Sequence, residues 1–187
     1  MQKRLIVGIS GASGIIYGVR ALELLREHGV QTHLVVSKSA ELTLHHELDM
    51  SLDALRDLAD EVHPIKDVGA SIASGSFLTE GMLVAPCSVR SMAEIATGVT
   101  STLLTRAADV VLKERRRLVL MVRETPLHTG HLRSMTALSE MGAVIAPPVP
   151  AFYTRPQSLD EVVTQSVGRA LELFGLPIAQ VQRWQGH

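Results

Sequence analysis

The sequence contains a single cysteine, Cys87, among its 187 residues, and this scarcity limits the sites that the chain can form. One thiol excludes an intramolecular disulfide framework and a zinc site built from several cysteines. An excess of one charge is also lacking, because 18 lysines and arginines stand against 19 aspartates and glutamates, which gives a net charge of −1 with neutral histidines. This balance gives no reason to expect nucleic acid or an acidic membrane surface as a partner.

Long hydrophobic runs are missing as well. The apolar run in the N-terminal MQKRLIVGIS stops at Gly8, which is too early for the apolar core of a signal peptide. No stretch approaches the ~20 apolar residues of a membrane span. Hydrophobic residues nevertheless make up 46% of the chain, enough for a substantial core. We therefore expect one soluble, cytoplasmic domain over residues 1–187.

Short apolar runs alternate with longer amphipathic segments along the chain. Runs rich in valine, leucine and isoleucine predict buried parallel strands at 5–9, 32–37, 82–86, 118–122 and 143–147. Helical spacing of apolar residues predicts helices at 14–28, 39–48, 51–62, 88–96, 101–114, 128–141 and 158–174. This alternation indicates an α/β fold with a doubly wound, open parallel sheet in a single domain.

The segment GISGASGIIYGVR, residues 8–20, joins the first predicted strand to the first predicted helix. Its backbone N–H groups and the helix N-terminus favour an anion at the carboxyl edge of the sheet, and Ser10 and Ser13 add hydroxyl donors. The glycine spacing differs from the dinucleotide pattern GxGxxG, and Ser37-Lys38 stands where an NAD site has an acid. FMN therefore fits better than NAD, and a tight turn without a ligand is the alternative.

Two further loops extend this pattern. PCSVRSM, residues 86–92, follows a predicted strand and opens a helix with Ser88 at the N-cap. ASIASGSF, residues 70–77, is rich in small residues and precedes the same strand. Three such loops at one sheet edge would enclose a flat ring system, although residues 70–77 are equally consistent with an ordinary flexible loop.

Seven short motifs follow one another along the chain: SGASG (10–14), SGSF (74–77), PCS (86–88), RAADVVLKERR (106–116), RETPLH (123–128), PPVPAFY (147–153) and RWQG (183–186). In this order they resemble the UbiX/Pad flavin prenyltransferases, and the similarity runs over residues 3–186. The segments MVRETPLH and GHLRSM favour the UbiX branch over the Pad branch. The resemblance implies a Rossmann-like or flavodoxin-like fold, assembled as a dodecamer with active sites at subunit interfaces.

The resemblance also implies a metal-independent reaction. Reduced FMN and dimethylallyl monophosphate are joined through N5–C1′ and C6–C3′ bonds to give prenylated FMN. A UbiD-type decarboxylase then uses this product, in ubiquinone biosynthesis if the UbiX branch is right. An FMN-dependent aromatic-acid decarboxylase and a flavin carrier subunit are the alternatives. A carrier needs one phosphate site, whereas a prenyltransferase needs two.

The resemblance assigns binding residues to both substrates. For FMN it implies Gly11, Ala12, Ser13, Ser37, Ser88, Val89, Arg90, Ser91 and Arg123. For dimethylallyl phosphate it implies Arg106, Lys113, Tyr153 and Arg169. Without the family resemblance, the sequence would predict ordinary structural roles for three of these residues. Arg106 would pair with Asp109 at i+3, Lys113 would be a solvated charge, and Tyr153 would be a packed loop aromatic.

Four residues are candidates for catalysis: Ser13, Glu47, Glu124 and Trp184. Apolar surroundings in LTLHHEL would raise the pKa of Glu47, which with Ser13 would relay the proton lost on ring closure. Glu124 would manage protons on the departing phosphate, or would simply be solvated. Trp184 would present a π face to an allyl cation, worth ~0.5–2 kcal/mol per good contact, while the tail over 176–187 packs on a neighbouring subunit.

The remaining histidine pairs and the cysteine are expected neither to bind a metal nor to take part in catalysis. The pairs His45-His46 and His128-x-x-His131 lack an acid or cysteine that would complete a metal site. Cys87 has no accompanying histidine–asparagine constellation, so we interpret it as a small residue beside the flavin rather than a catalytic thiol.

Overall fold

One parallel sheet organises the protein in the computed structural model, which describes residues 2–186. Its strands are β1 (Arg4–Ile9), β2 (Gln31–Val36), β3 (Glu61–His63), β4 (Gly81–Cys87), β5 (Arg117–Val122) and β6 (Val144–Ile145). They lie in the order β3-β2-β1-β4-β5-β6, so the direction of winding reverses between β1 and β4. The predicted doubly wound α/β fold is confirmed, and ligands are expected at this reversal point, outside the carboxyl ends of the strands. Met1 and His187 of the predicted domain lie outside the described residues.

Helices cover both faces of the sheet. They are α1 (Ile15–Glu27), α2 (Lys38–Glu47), α3 (Leu52–Arg56), α4 (Val89–Ala96), α5 (Leu103–Lys113), α6 (Thr129–Glu140) and α7 (Leu159–Glu172). One buried core joins α1 and α7 to alternate strand residues, and a second joins α4, α5 and α6 to the opposite face. No helix within residues 2–186 is long and apolar enough to cross a membrane.

The predicted helix at 51–62 is wrong beyond its first turns. Helix α3 ends at Arg56, and the chain then forms the edge strand β3 beside β2. The Asp60 carboxylate accepts hydrogen bonds from the Thr32 amide at 2.7 Å and the Thr32 hydroxyl at 2.9 Å, next to the start of β3. These bonds fix the chain against β2 and leave it extended. The predicted strand at 143–147 forms only at its centre, in β6.

Helix α1 lies unusually close to the sheet at the reversal point. A Cβ atom at Gly18 would stand 2.5 Å from Ile9 Cδ1 and 2.6 Å from the Ala85 carbonyl oxygen. Gly14, with φ of +102°, takes the left-handed conformation that turns the chain into the helix. Glycine at these two positions therefore places the N-terminus of α1 directly over the ends of β1 and β4.

Candidate active site

The loop between β1 and α1 is tied to the end of β4 by Ser10. The buried Ser10 hydroxyl donates to the Pro86 carbonyl oxygen at 2.9 Å and accepts from the Ser88 amide at 2.7 Å. Ser10 is therefore already occupied within the protein, and its predicted use as a hydroxyl donor to an anion is not supported. At the next position, a Cβ atom on Gly11 would collide with Ser39 Cβ, so the loop contacts the start of α2 closely.

The N-termini of three helices contribute to one cavity of about 300 Å³ at this edge. Each is capped by its own side chain: Ser37 accepts from the Ala40 amide at 3.1 Å, Ser88 from Ser91 at 3.2 Å and Thr102 from Thr105 at 3.4 Å. Helix N-termini carry partial positive charge and favour anions. The complete lining is Gly11, Ser37, Lys38, Ser39, Ile65, Lys66, Ser88, Arg90, Ser91, Glu94, Ser101, Thr102, Leu104 and Thr105.

Basic side chains strengthen the preference of this cavity for an anion. Lys38, Lys66 and Arg90 are in its wall. Arg90 is paired with Glu94 through a 3.0 Å contact between Nε and Oε1, so this arginine is partly neutralised. The two lysines form no ion pair with an acid among the residues that the structure describes. A phosphate monoester matches the charge of this wall.

The predicted FMN residues divide into two groups. Gly11, Ser37, Ser88, Arg90 and Ser91 line the cavity. The others lie beside it: Ala12 and Ser13 follow Gly11 in the same loop, Val89 packs against the core under α4, and Arg123 stands at the end of β5.

Sequence reasoning missed Lys38, Ser39, Lys66 and the first turn of α5 as parts of this wall. The pattern Thr102-x-x-Thr105 was an available signal, since it forms a capping box. Lys66 gave no local signal, because only the fold brings it to the cavity.

Glu47 caps the N-terminus of α1 from the far end of α2. Its Oε2 atom accepts hydrogen bonds from the Gly14 amide at 2.8 Å and the Ile15 amide at 3.0 Å. Burial alone would raise the pKa of Glu47, but hydrogen bonds from the Ser13 side chain and the two amides, together with the Arg123 charge, hold the pKa below its ordinary value. The predicted rise is therefore wrong. Glu47 is an ionised carboxylate that can accept a proton at neutral pH.

Arg123 lies next to both Glu47 and Tyr17. Its charge opposes the effect of burial on Tyr17, where burial is the stronger influence and raises the pKa of the phenol. The Arg123 amide donates to the Cys87 carbonyl oxygen at 3.0 Å, which fixes the backbone of this residue at the sheet edge. Tyr17, in the first turn of α1, is a neighbour of the site that sequence reasoning missed. Glu124 is exposed, and its Oε1 atom accepts from the Thr125 amide at 3.0 Å.

A second pocket, of about 220 Å³, lies between α7 and the proline-rich segment that follows β6. Arg169 and Gln165 line it together with Pro147 and Val149. Arg169 also pairs with Glu172 one turn later on the helix. An arginine beside an apolar pocket matches a ligand that carries both a phosphate and a short hydrocarbon chain.

Tyr153 and Trp184 lie near this pocket, and Gln165, which lines it, contacts the Tyr153 hydroxyl at 3.5 Å. The Tyr153 and Trp184 rings meet edge to face with centroids 5.8 Å apart. The Tyr153 hydroxyl donates to the Gln182 carbonyl oxygen at 3.2 Å, and Gln165 Nε2 donates to the same oxygen at 2.9 Å. The start of the tail packs on its own chain, because Leu176, Ile178 and Val181 are buried there. Packing of the later tail residues on a neighbouring subunit stays a prediction.

Arg106 and Lys113 lie on the opposite face of the sheet, on α5. Arg106 Nη1 contacts Asp109 Oδ2 at 2.6 Å, which is the i+3 pair expected without the family resemblance. Lys113 pairs with Glu114. A single chain therefore does not bring the four predicted dimethylallyl phosphate ligands together, since Tyr153 and Arg169 are associated with α7.

The loop at 70–77 does not join the other two loops, so that expectation is wrong. The Arg116 guanidinium donates to the Gly75 carbonyl oxygen at 2.6 Å and to the Phe77 carbonyl oxygen at 2.7 Å. The segment runs along the sheet from the carboxyl end of β3 to the amino end of β4, where the Glu80 amide donates to the Arg4 carbonyl oxygen at 2.8 Å. Its last residues therefore lie at the other edge of the sheet.

Cys87 is inert in this environment. Its side chain is fully buried, and burial raises the pKa of the thiol to about 12. The interpretation of Cys87 as a packing residue agrees with these properties, since a nucleophilic cysteine needs an accessible thiolate.

His128 caps α6, where its Nδ1 atom accepts from the Gly130 amide at 3.0 Å and its ring stacks on His131.

Known proteins are similar to this chain in both sequence and fold. A family model described as Flavoprotein matches residues 1–170. The flavin prenyltransferase UbiX of Neisseria meningitidis is 60% identical over 100% of this chain and 98% of its own length, and that of Escherichia coli K12 is 59% identical over 99% and 100%. The chain belongs to the flavin prenyltransferase family.

Solved structures of the flavin prenyltransferase family and its UbiX-like relatives superimpose closely on this one. AnUbiX (PadA1), solved in complex with FMN and dimethylallyl pyrophosphate, has a TM-score of 0.99 and 48% identity, with 100% of both chains covered. A dodecameric FMN-dependent UbiX-like decarboxylase from Escherichia coli O157:H7 has a TM-score of 0.96 and 49% identity, with 98% of this chain and 100% of that chain covered. These relatives place the flavin prenyltransferase fold over the whole described chain.

Proposed function

We propose that this flavin prenyltransferase joins dimethylallyl monophosphate to reduced FMN and releases prenylated FMN and phosphate. A UbiD-type decarboxylase would receive the product, in ubiquinone biosynthesis, and the enzyme would work in the cytoplasm as a dodecamer. The reaction breaks the C1′–O bond of the prenyl phosphate and forms the N5–C1′ bond with loss of the N5 proton. C2′ then takes up a proton, C6 bonds to C3′ and the C6 proton leaves, so one proton is released overall and goes to the phosphate. The protein must therefore hold two phosphates, shield an allyl cation and accept a proton.

The cavity at the ends of β1 and β4 suits the FMN phosphate. The first residues of α2, α4 and α5 supply amides and hydroxyls there, and Lys38 and Lys66 supply charge. The flavin ring would then extend from this cavity along the loop at 11–13 toward Arg123. This direction takes the reacting edge of the ring to the N-terminus of α1, where Glu47 lies.

The placement of Glu47 is the observation that carries the proposal. Its carboxylate is held by two backbone amides, kept ionised by Ser13 and Arg123, and positioned at the edge of the sheet that receives ligands. An ionised carboxylate at this position is a ready acceptor for the C6 proton, and Ser13 can relay it. Capping of α1 alone needs only a hydrogen-bond acceptor, so the Glu47→Gln variant separates the proposed base from a purely structural cap.

The pocket beside α7 suits the prenyl phosphate. Arg169 and Tyr153 would bind the phosphate oxygens, and Trp184 would cover the five-carbon chain and its developing positive charge. Arg106 and Lys113 would reach the same phosphate from a second copy of the chain, because one copy carries them on the opposite face. Glu124 would return a proton to the departing phosphate. These basic groups neutralise the leaving group, so the chemical step does not need a metal ion.

Mass spectrometry of the flavin tests the reaction. The protein is incubated anaerobically with reduced FMN and dimethylallyl monophosphate, and the extracted flavin is weighed. We expect a flavin heavier than FMN by one five-carbon prenyl unit, with one phosphate released per flavin. Recovery of FMN alone, with tight FMN binding, would instead support a carrier.

A further inference from the structure

A cluster of two histidines and a glutamate lies away from the flavin site, on the outer edge of the sheet. Strands β2 and β3 pair in parallel with His33 opposite Glu61 and Val35 opposite His63. Alternate residues of a strand point to the same face, so the side chains of His33, Glu61 and His63 project together. No residue that we assign to either substrate belongs to this cluster.

The ligand atoms of the cluster have the spacing of a coordination sphere. His33 Nδ1 is 3.1 Å from His63 Nε2 and 3.5 Å from Glu61 Oε2. In a tetrahedral zinc site with bonds of about 2.0–2.1 Å, neighbouring ligand atoms are about 3.3 Å apart. All three atoms lie within 4.8 Å of one another, and this is the single group of three such ligands among residues 2–186. An ion would therefore need only small side-chain adjustments to bind.

We infer that His33, Glu61 and His63 bind a divalent transition-metal ion of the zinc class. Two imidazoles and one carboxylate are a common ligand set for zinc, and water completes the sphere because Glu61 is half exposed. Binding would use the neutral form of both imidazoles, with the lone pairs of His33 Nδ1 and His63 Nε2 directed at the ion. The ion would also neutralise the Glu61 carboxylate, whose Oε1 atom accepts from Gln31 Nε2 at 3.3 Å.

The burial of His33 fixes the orientation of its ring before any ion binds. Its side chain is completely buried, yet its Nε2 atom has no hydrogen-bond partner within the described residues. The ring is held on that side only by packing, with Phe77 edge to face at a centroid distance of 5.0 Å. A metal ion at Nδ1 would leave Nε2 as it is, and the contribution of the burial is that packing keeps Nδ1 oriented toward His63 and Glu61.

The site would act as a clip on the sheet edge rather than in the reaction. Strand β3 has three residues and is the outermost strand, so it has few backbone bonds to hold it. His63 leads directly into Ile65 and Lys66, which line the FMN phosphate cavity, and the Ile65 carbonyl oxygen accepts from the Leu103 amide at 2.9 Å. A metal on β3 would therefore hold one wall of that cavity in place.

Metal titration of the full chain tests the proposal. The chelator-treated protein is titrated with Zn²⁺ by calorimetry and, in parallel, with Co²⁺ by visible absorption. We expect one ion per chain, the intense d–d bands of tetrahedral Co²⁺, and a higher midpoint of thermal unfolding with Zn²⁺. His63→Ala and Glu61→Gln should weaken binding at least about 10-fold and remove these bands. Absence of saturable binding would overturn the inference.

Matched variants separate this site from other histidines and from misfolding. His46→Ala and His128→Ala remove histidines outside the cluster, so both should keep the Zn²⁺ affinity and the Co²⁺ spectrum. His63 lies on the sheet edge, and the metal-free His63→Ala protein should keep the circular dichroism spectrum of the metal-free parent. Retained Co²⁺ bands in a folded His63→Ala variant would place the ion elsewhere and refute the assignment.

Discussion

The sheet edge at the end of β1 and the segment that follows β6 differ in how completely one chain builds them. At the first, the N-termini of three helices and two lysines line one cavity of a single chain, and the Glu47 carboxylate that caps α1 belongs to the same chain. At the second, Val149 and Phe152 keep 73% and 76% of their surfaces exposed, and Arg106 and Lys113 lie across the sheet. Under the proposed function, one chain would provide the FMN half of the site, and another copy would complete the prenyl phosphate half with Arg106 and Lys113.

The largest expected effect is on the rate of the reaction, from a change at Glu47 in the FMN half of the site. Glu47→Gln keeps an oxygen to cap α1 but removes the negative charge that accepts the proton. We expect the rate of prenylated FMN formation to fall by about 10²–10⁴-fold, the usual contribution of a general base. FMN affinity, measured by fluorescence quenching, should stay nearly unchanged. Loss of FMN binding in this variant would show that Glu47 is a structural residue.

The same carboxylate predicts a pH dependence. Its pKa is lower in the folded protein, so the stability it contributes is present above its unfolded pKa and is lost as pH falls through the folded pKa. The unfolding midpoint of Glu47→Gln should therefore approach that of the parent in acid and lie below it at neutral pH. Parallel midpoints across this range would contradict an ionised, hydrogen-bonded Glu47.

A feature of the fold or of the site could be predicted from the sequence when residues close together in the chain determine it. Features that depend on residues far apart in the chain could not. The apolar strands were visible because their burial is a local pattern, and the Arg106–Asp109 pair follows from helix spacing. Strand β3 was missed because its residues are polar and pair with β2 across the fold. The pKa of Glu47 was predicted in the wrong direction because the amides that lower it lie 33 and 32 residues away in the chain.

The next largest effect is expected at Arg169, in the prenyl phosphate half of the site. Arg169→Ala should raise the concentration of dimethylallyl monophosphate needed for half-maximal rate by about 10–100-fold, as expected for the loss of a hydrogen bond to a charged group. FMN affinity should hardly change. Arg133→Ala, on α6, removes an arginine outside both pockets and is the matched control. Equal weakening of both ligands by Arg169→Ala would contradict two separate phosphate sites.

Mixed oligomers test directly whether two copies share the prenyl phosphate site. Arg106→Ala and Arg169→Ala should each be impaired alone. Co-expressed in one oligomer, they would restore an intact site wherever an unmodified Arg106 meets an unmodified Arg169, in about a quarter of the sites if the subunits mix at random. Co-purified mixed oligomers should turn over faster than either variant purified alone, at a dimethylallyl monophosphate concentration well below that needed for half-maximal rate. No increase would show that Arg106 of one copy does not complete the site of another.

A smaller effect tests how tightly the FMN half of the site is packed. A Cβ atom at Gly11 would collide with Ser39, so Gly11→Ala should displace the loop from α2 and lower the free energy of unfolding by about 1–3 kcal/mol. FMN should bind about 10-fold more weakly, since about 1.4 kcal/mol corresponds to a factor of ten. Gly69→Ala is the matched control, because its nearest neighbour would be at an ordinary 3.5 Å.

The smallest effect concerns Cys87, which lies between the two halves at the end of β4. The thiol is fully buried with a pKa of about 12, so it is neither ionised nor accessible at neutral pH. Cys87→Ala should keep the rate of prenylated FMN formation within about threefold of the parent, with a loss of about 1 kcal/mol in stability from the cavity. Iodoacetamide should label the folded parent only after denaturant is added. A loss of activity comparable to that of Glu47→Gln would mean that the thiol takes part in the chemistry. Proton transfer could then no longer be assigned to Glu47 alone.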